Sequence, residues 1–180
     1  MFSRRRKPYA RFTEFLPTET AEDVLQQILD REQDFCRLKG NRNFLRLPQP
    51  LDLLPGFSER LSMMLPQIQS TFGTDLTEPE IELYVHAYND GTYFLRHADT
   101  HGGGNWRRRI SCVYYVHRRP RPFAGGDLVV YDRRASPHAI TAEHNSAIFF
   151  PADLFHEVRR IDCASRAFAD SRFSINVWIM

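Results

Sequence analysis

The chain has 180 residues and a formal net charge of +2, with 42% hydrophobic, 13% aromatic and 26% charged residues, a composition that excludes a disordered or fibrous protein and suits one folded domain. No apolar run approaches the roughly 20 residues of a membrane span, and the charged start MFSRRRKPYARF has no apolar stretch behind it, as a secretory signal would. Three scattered cysteines (Cys36, Cys112, Cys163) exclude a disulfide framework and a Cys-based zinc site, so the expectation is a single cytoplasmic domain spanning 1–180.

Residues 1–80 read as helical support. Thr18 and Thr20 are N-cap candidates, and Val24, Leu25, Ile28 and Leu29 recur at helical spacing until Gly40 stops the pattern. The stretch 47–57 carries three prolines and a glycine and reads as a loop. A second helix is expected from near Ser58, with Leu61, Met64, Leu65, Ile68 and Phe72 on one side and a kink at Pro66. From Ile81 onward the chain turns to short β-branched and aromatic runs. Strands are predicted at 81–88, 92–99, 109–117, 127–132, 137–141, 146–150, 155–161 and 172–179, separated by turns at Asn89-Asp90-Gly91, His101 to Asn105, Pro120 to Gly126 and Arg133 to Pro137. In the first run Ile81, Leu83, Val85 and Ala87 alternate with Glu82, Tyr84, His86 and Tyr88, the mark of a strand with two different faces. Many short strands at near-regular spacing imply a sandwich or barrel.

The near-neutral total hides an uneven distribution. Residues 81–180 hold 13 basic and 10 acidic side chains against 11 and 12 in 1–80, and within 101–134 eight arginines face only Asp127 and Asp132. These arginines fall in predicted loops with no nucleic-acid-binding module around them, so no nucleic acid is expected. An ordinary solvated surface is one reading of the cluster; the other is that Arg107, Arg108 and Arg109, which follow the 92–99 strand, are candidates for recognising an acidic substrate at the mouth of a barrel.

The chemistry centres on Tyr88-Asn-Asp-Gly-Thr-Tyr-Phe-Leu-Arg-His97-Ala-Asp99. On a strand, His97 and Asp99 point to one face and can grip one ion together. His156, after the apolar run Ala147 to Phe150, is the best third ligand. Two histidines and one carboxylate leave the other face of a metal open, which suits an Fe(II) enzyme that binds an oxidant and a cosubstrate. His101 offers a local alternative with His97 and Asp99. The remaining histidines (His86, His117, His138, His144) read as surface or hydrogen-bonded strand residues.

The ordered succession Y-N-D-G-T-Y-F-L-R-H-A-D, R-I-S-C-V-Y-Y-V, F-A-G-G-D-L-V-V-Y, F-H-E-V and R-F-S-I-N-V-W over residues 81–180 resembles the prolyl 4-hydroxylase-like branch of the 2-oxoglutarate and Fe(II)-dependent dioxygenases. The resemblance implies a mainly β fold, a double-stranded β-helix (jelly-roll) barrel braced by the N-terminal helices. It implies Fe(II) held by His97, Asp99 and His156, and 2-oxoglutarate and O2 as cosubstrates. Arg172 matches the residue that pairs with the distal carboxylate of 2-oxoglutarate, Tyr115 one that hydrogen-bonds it, and Tyr88 one that lines the pocket. Sixteen positions separate His156 from Arg172, and Arg166, inside that interval, competes for the anchor role. Oxidative decarboxylation to succinate and CO2 would accompany oxidation of a prolyl, other amino-acid side-chain or amino-acid-derived small-molecule substrate, free or peptidyl. A carboxylate at position 99, where related halogenases carry a small residue, favours hydroxylation. A non-catalytic ligand- or partner-binding barrel and a metal hydrolase on a similar barrel are the other readings, and oligomeric state is left open.

Overall fold

In a computed structural model the described residues are 8–37, 44–47, 55–100 and 105–180. The chain runs β1 (Ala10–Thr13), α1 (Thr18–Asp30), β2 (Cys36–Arg37), β3 (Leu45–Leu47), α2 (Pro55–Phe72), β4 (Ile81–Tyr88), β5 (Phe94–His97), β6 (Ile110–Val116), β7 (Ala124–Gly125), β8 (Leu128–Tyr131), β9 (Pro137–Ile140), β10 (Ser146–Pro151), β11 (His156–Val158), β12 (Ile161–Asp162) and β13 (Arg172–Ile179). A seven-stranded sheet in the order β1-β10-β6-β13-β4-β3-β2 faces a four-stranded sheet, β5-β11-β8-β9, while β7 and β12 pair on their own. All pairings are antiparallel.

Strand alternation decides what each face does. On β13, Phe173, Ile175, Val177 and Ile179 join Val85 and Ala87 of β4 and Ile110, Cys112 and Tyr114 of β6 in a core shared with the helices. That core takes Ala21, Val24, Leu25 and Ile28 from α1 and Phe57, Leu61, Met64 and Ile68 from α2, each large aliphatic contributing about 1.5–3 kcal/mol on full burial. The opposite face of the large sheet packs Val113, Tyr115, Ile148 and Phe150 against Leu128, Val130 and Ile140 of the small sheet. Asn145 clamps the N-terminal segment to this body: its amide accepts from the Leu16 backbone N–H and donates to the Leu16 carbonyl, and the Tyr114 hydroxyl donates to it.

Residues 1–80 depart from the helical expectation. Three short strands lie there, and β1 and β3 extend opposite sides of the large sheet by pairing with β10 and β4. They are too short to show a convincing alternation, and pairing with a long neighbour, not propensity, makes them strands. α1 ends at Asp30, ahead of Gly40, which lies outside the described residues. Pro17 occupies its N-cap position without a side-chain cap, in place of Thr18 or Thr20. α2 starts at Pro55, earlier than expected, and runs through Pro66 with one backbone hydrogen bond fewer. Most of the 47–57 loop and the His101 turn fall outside the described residues. The predicted 155–161 strand is two, β11 and β12, because Ile161 leaves the small sheet to pair with Gly125.

Candidate metal centre and active site

β11 and β5 place His156 directly opposite His97 in register. The strand ends at His97, so Asp99 reaches the site from the following turn, held by its backbone N–H to the Ala152 carbonyl at 3.0 Å. Ligand atoms of His97, Asp99 and His156 lie within 4.8 Å of one another. The His97 Nε2 atom is 3.6 Å from Asp99 Oδ1, and His156 Nε2 is 3.5 Å from Asp99 Oδ2. His101, the local alternative, lies outside the described residues.

Each histidine turns Nδ1 to the carbonyl two residues before it, Leu95 at 2.8 Å and Leu154 at 3.0 Å. A carbonyl only accepts, so Nδ1 carries the proton and the Nε2 lone pair faces the shared point, the arrangement metal-ligating histidines adopt. The Ser111 hydroxyl donates to Asp99 Oδ2 at 2.6 Å. Burial opposes ionisation of Asp99, but the His97 and His156 imidazoles and the Ser111 hydroxyl outweigh it and hold the carboxyl below its ordinary range. Burial likewise holds His156 below the usual imidazole value, against the pull of Asp99. The centre therefore offers two imidazole Nε2 atoms and a carboxylate aimed at one point, a donor set that fits Fe(II) and leaves sites open.

The cavity beside these ligands is lined by His86, Tyr88, Phe94, Ser111, Val113, Leu128, Arg172, Asn176 and Trp178 among others. Arg172 is 1% exposed. Its guanidinium lies 4.9 Å from the Tyr88 ring and 4.6 Å from the Tyr115 ring, yet none of its three nitrogens has a hydrogen-bond partner among the described residues, and neither has the buried Tyr115 hydroxyl. Burial pushes the Tyr115 phenol up while the Arg172 charge pulls it down, so the hydroxyl keeps its proton and can donate. A buried guanidinium and a buried phenol, side by side without acceptors, fit a carboxylate. The Gly125-Gly126 pair explains itself here. A Cβ on Gly126 would stand 3.0 Å from Arg172 Cδ, and Gly125 approaches the Arg160 carbonyl at 2.3 Å from where its own Cβ would be. Arg166 sits elsewhere, exposed and ion-paired with Asp90 at 3.1 Å.

A cleft of about 460 Å³ opens from the metal centre, with Phe44, Arg46, Tyr84, Phe94, Phe155 and Trp178 among its walls. Of the three candidate substrate arginines, the structure brings only Arg108 to it. Arg108 stacks 4.0 Å from the Trp178 ring and pairs with Glu82 at 2.5 Å. Arg107 instead pairs with Glu80 at the surface. The Arg109 backbone serves the sheet by bonding Ile179 and Ala152. The other loop arginines do not gather at the mouth as a group: Arg118, Arg119 and Arg133 pair with Asp170, Glu22 and Asp153. Sequence reasoning missed Ser111, Arg46 and Trp178 as lining residues. Trp178 was within reach, since it shares the alternation of Arg172.

A family model described as the 2OG-Fe(II) oxygenase superfamily matches residues 83–180. An uncharacterized PKHD-type hydroxylase of Synechocystis is 31% identical over 189 residues, covering 95% of this chain and 62% of that protein, so the chain spans under two thirds of its relative's length. Among solved structures, a Pseudomonas putida prolyl-4-hydroxylase superposes with a TM-score of 0.77 at 18% identity, covering 96% of this chain and 91% of that one. A Trichoplax adhaerens prolyl hydroxylase in complex with a hypoxia inducible factor peptide fragment gives a TM-score of 0.75 at 18% identity, over 96% and 83%. These likenesses show the jelly-roll fold.

Proposed function

Because the chain belongs to the 2OG-Fe(II) oxygenase superfamily, we propose that it is an Fe(II)- and 2-oxoglutarate-dependent dioxygenase hydroxylating a prolyl or other amino-acid-derived substrate, free or peptidyl. The observation that carries this reading is Arg172: a fully buried guanidinium with no carboxylate partner among the described residues, beside the buried Tyr115 hydroxyl, in the cavity that holds the His97, Asp99 and His156 triad. A metal hydrolase has no use for such an anion anchor.

His97, Asp99 and His156 would hold iron, and Arg172 with Tyr115 would hold the distal carboxylate of 2-oxoglutarate, with Tyr88 walling the pocket. Bound together, the two supply the oxidising chemistry: O2 and 2-oxoglutarate give succinate and CO2, and one oxygen atom enters a substrate C–H bond. The protein's own contributions are positional. The Leu95 and Leu154 carbonyls fix both imidazole tautomers, Ser111 keeps Asp99 ionised and oriented, and the Arg172 fork sets the cosubstrate's direction. Phe94 and Phe150, whose rings lie 3.9 and 4.8 Å from His97 and His156, exclude water from the metal's protein side.

The substrate would enter by the cleft of Tyr84, Phe155 and Trp178. The prolyl hydroxylases among the structural neighbours and the PKHD-type relative support an amino-acid-derived substrate. An acidic group on it would compete with Glu82 for Arg108, which weighs against acidity as the main recognition element. We read 1–180 as one domain, since α1, α2 and the large sheet share a core, and as cytoplasmic. No helix among the described residues is long and apolar enough to cross a membrane.

The test is substrate-stimulated succinate formation by the purified chain with Fe(II), O2 and 2-oxoglutarate, with the product mass checked for one added oxygen. His97→Ala should abolish it. Failure of the wild-type chain to bind either Fe(II) or 2-oxoglutarate would sink the reading.

A further inference from the structure

His86, on β4, is buried and lines the metal cavity, with a donor or amide at each ring nitrogen. The Arg46 Nε–H donates to His86 Nε2 at 3.1 Å, and the Asn176 amide lies against Nδ1 at 2.9 Å. A guanidinium has only donors and does not lose its proton in a protein, so Nε2 must carry a lone pair. A neutral imidazole then bears its hydrogen on Nδ1, and what faces Nδ1 must accept. The Asn176 NH2 group placed 2.9 Å from Nδ1 cannot accept from a ring N–H, so the amide must turn to set its oxygen there, the hydrogen-bond network being what decides between the two ends of an amide. The Asn176 NH2 also donates to the Ser174 hydroxyl at 3.1 Å; with the amide turned, that hydroxyl donates to the oxygen instead, and only a 3.4 Å contact with the Ser174 carbonyl is given up.

The consequence lies on the other side of the amide, which has no hydrogen-bond partner among the described residues. Arg172, Ser174, Asn176 and Trp178 share one face of β13, and three of them line the metal cavity. Asn176 stands opposite Val113, two residues along β6 from Ser111, the residue that holds Asp99. It thus lies between the iron ligands and Arg172, about 13 Å along the strand from the arginine at ~3.3 Å per residue.

We propose that Arg46, acting through His86, is a positioning residue that keeps the Asn176 amide with its NH2 turned into the cavity, where it donates to an oxygen of the cosubstrate held between Arg172 and the triad. Stacking of the Arg46 guanidinium 4.0 Å over the Tyr84 ring holds the first member of the relay in place. The assignment rests on the proposed function for the identity of the cosubstrate, but the tautomer and amide orientation do not depend on it.

The experiment is nitrogen-15 NMR of the whole chain loaded with diamagnetic Zn(II), with and without 2-oxoglutarate, together with calorimetric 2-oxoglutarate binding. His86 should show a single neutral tautomer protonated on Nδ1 before ligand is added, and the Asn176 side-chain NH2 signals should move when 2-oxoglutarate binds. Asn176→Ala should weaken 2-oxoglutarate binding about tenfold, as for one hydrogen bond to a charged acceptor, and leave zinc affinity unchanged. Arg46→Met should remove the single tautomer and weaken binding several-fold. An Nε2-protonated or charged His86 overturns the relay, as does an unmoved Asn176 signal with unchanged binding in Asn176→Ala; both readouts on the wild-type chain stand even if a variant fails to fold. A wild-type chain that shows the Nδ1 tautomer but binds no 2-oxoglutarate overturns the hydroxylase reading and the donation to it, while the orientation of the relay stands.

Discussion

Arg172 and Arg108 both lay a guanidinium on aromatic rings along the same cavity system, yet among the described residues Arg108 has a counterion and Arg172 has none. Arg108 lies 4.0 Å from the Trp178 ring, is paired with Glu82 at 2.5 Å and reaches the Asp99 carbonyl at 3.4 Å. Arg172 has the Tyr88 and Tyr115 rings and no hydrogen-bond partner among the described residues. Ring faces attract a cation by about 0.5–2 kcal/mol, whereas an uncompensated buried charge costs several. Stacking alone cannot keep Arg172 in place, so the fold carries a cost there that an anionic ligand relieves. What separates the two arginines is not net charge but where the partner comes from.

The largest effect should follow from removing that difference. Arg172→Met deletes a buried charge that has no counterion among the described residues, so the ligand-free melting temperature should rise while 2-oxoglutarate affinity falls by about a hundredfold or more, the range for losing one member of a buried charged pair. Arg108→Met should instead lower the melting temperature, because it strands Glu82. A fall in ligand-free stability for Arg172→Met with unchanged binding would erase the comparison. In the wild-type chain, 2-oxoglutarate at a hundred times its Kd should add about 2.7 kcal/mol of stability, or roughly 5–10 °C in a thermal melt for a chain of this size; Arg172→Met should show almost none of it.

Next in size is Gly126→Ala. Gly126 has φ +72°, and a Cβ there would stand 2.8 Å from Ile161 Cγ1 and 3.0 Å from Arg172 Cδ. Backbone strain of about 1–3 kcal/mol should lower the melting temperature, and displacement of the guanidinium should weaken 2-oxoglutarate binding in calorimetry. Loss of stability with full binding would show that the glycine serves only the turn. Tyr115→Phe removes a hydroxyl that has no hydrogen-bond partner among the described residues. It should weaken 2-oxoglutarate binding about tenfold without destabilising the ligand-free chain.

How much of this was legible in the sequence depends on whether a feature is periodic or spatial. The two faces of β4 could be read from Ile81-Glu82-Leu83-Tyr84 onward, because alternation is a property of the strand itself. His97 and His156 were legible through motif order, although strand spacing gave the wrong reason for Asp99, which stands in a turn beyond the end of β5. β1 and β3 were not legible, since four and three residues carry too little pattern and become strands only by pairing with β10 and β4. The arginine-rich loops misled for a related cause. A run of charge along the chain does not say which carboxylates the fold will bring to it, and Glu80, Glu82, Asp153 and Asp170 come from elsewhere in the chain.

The smallest expected effects separate Arg108 from its neighbour Arg107. Both pair with a glutamate from the same segment at 2.5 Å, but the Arg107 and Glu80 side chains are 52% and 60% exposed against 10% and 33% for Arg108 and Glu82. Water and salt screen the outer pair, and exposed pairs contribute about 0–1 kcal/mol. Arg107→Ala should therefore leave the melting temperature, 2-oxoglutarate affinity and substrate KM unchanged within error at physiological salt. Arg108→Ala also uncovers the Trp178 face and should raise the substrate KM several-fold while leaving 2-oxoglutarate affinity intact, because the guanidinium borders the cleft and not the Arg172 anchor. Equal effects on substrate KM from the two alanine variants would mean that the long-range field of the loops, not the stacked and paired geometry of Arg108, governs what enters the cleft.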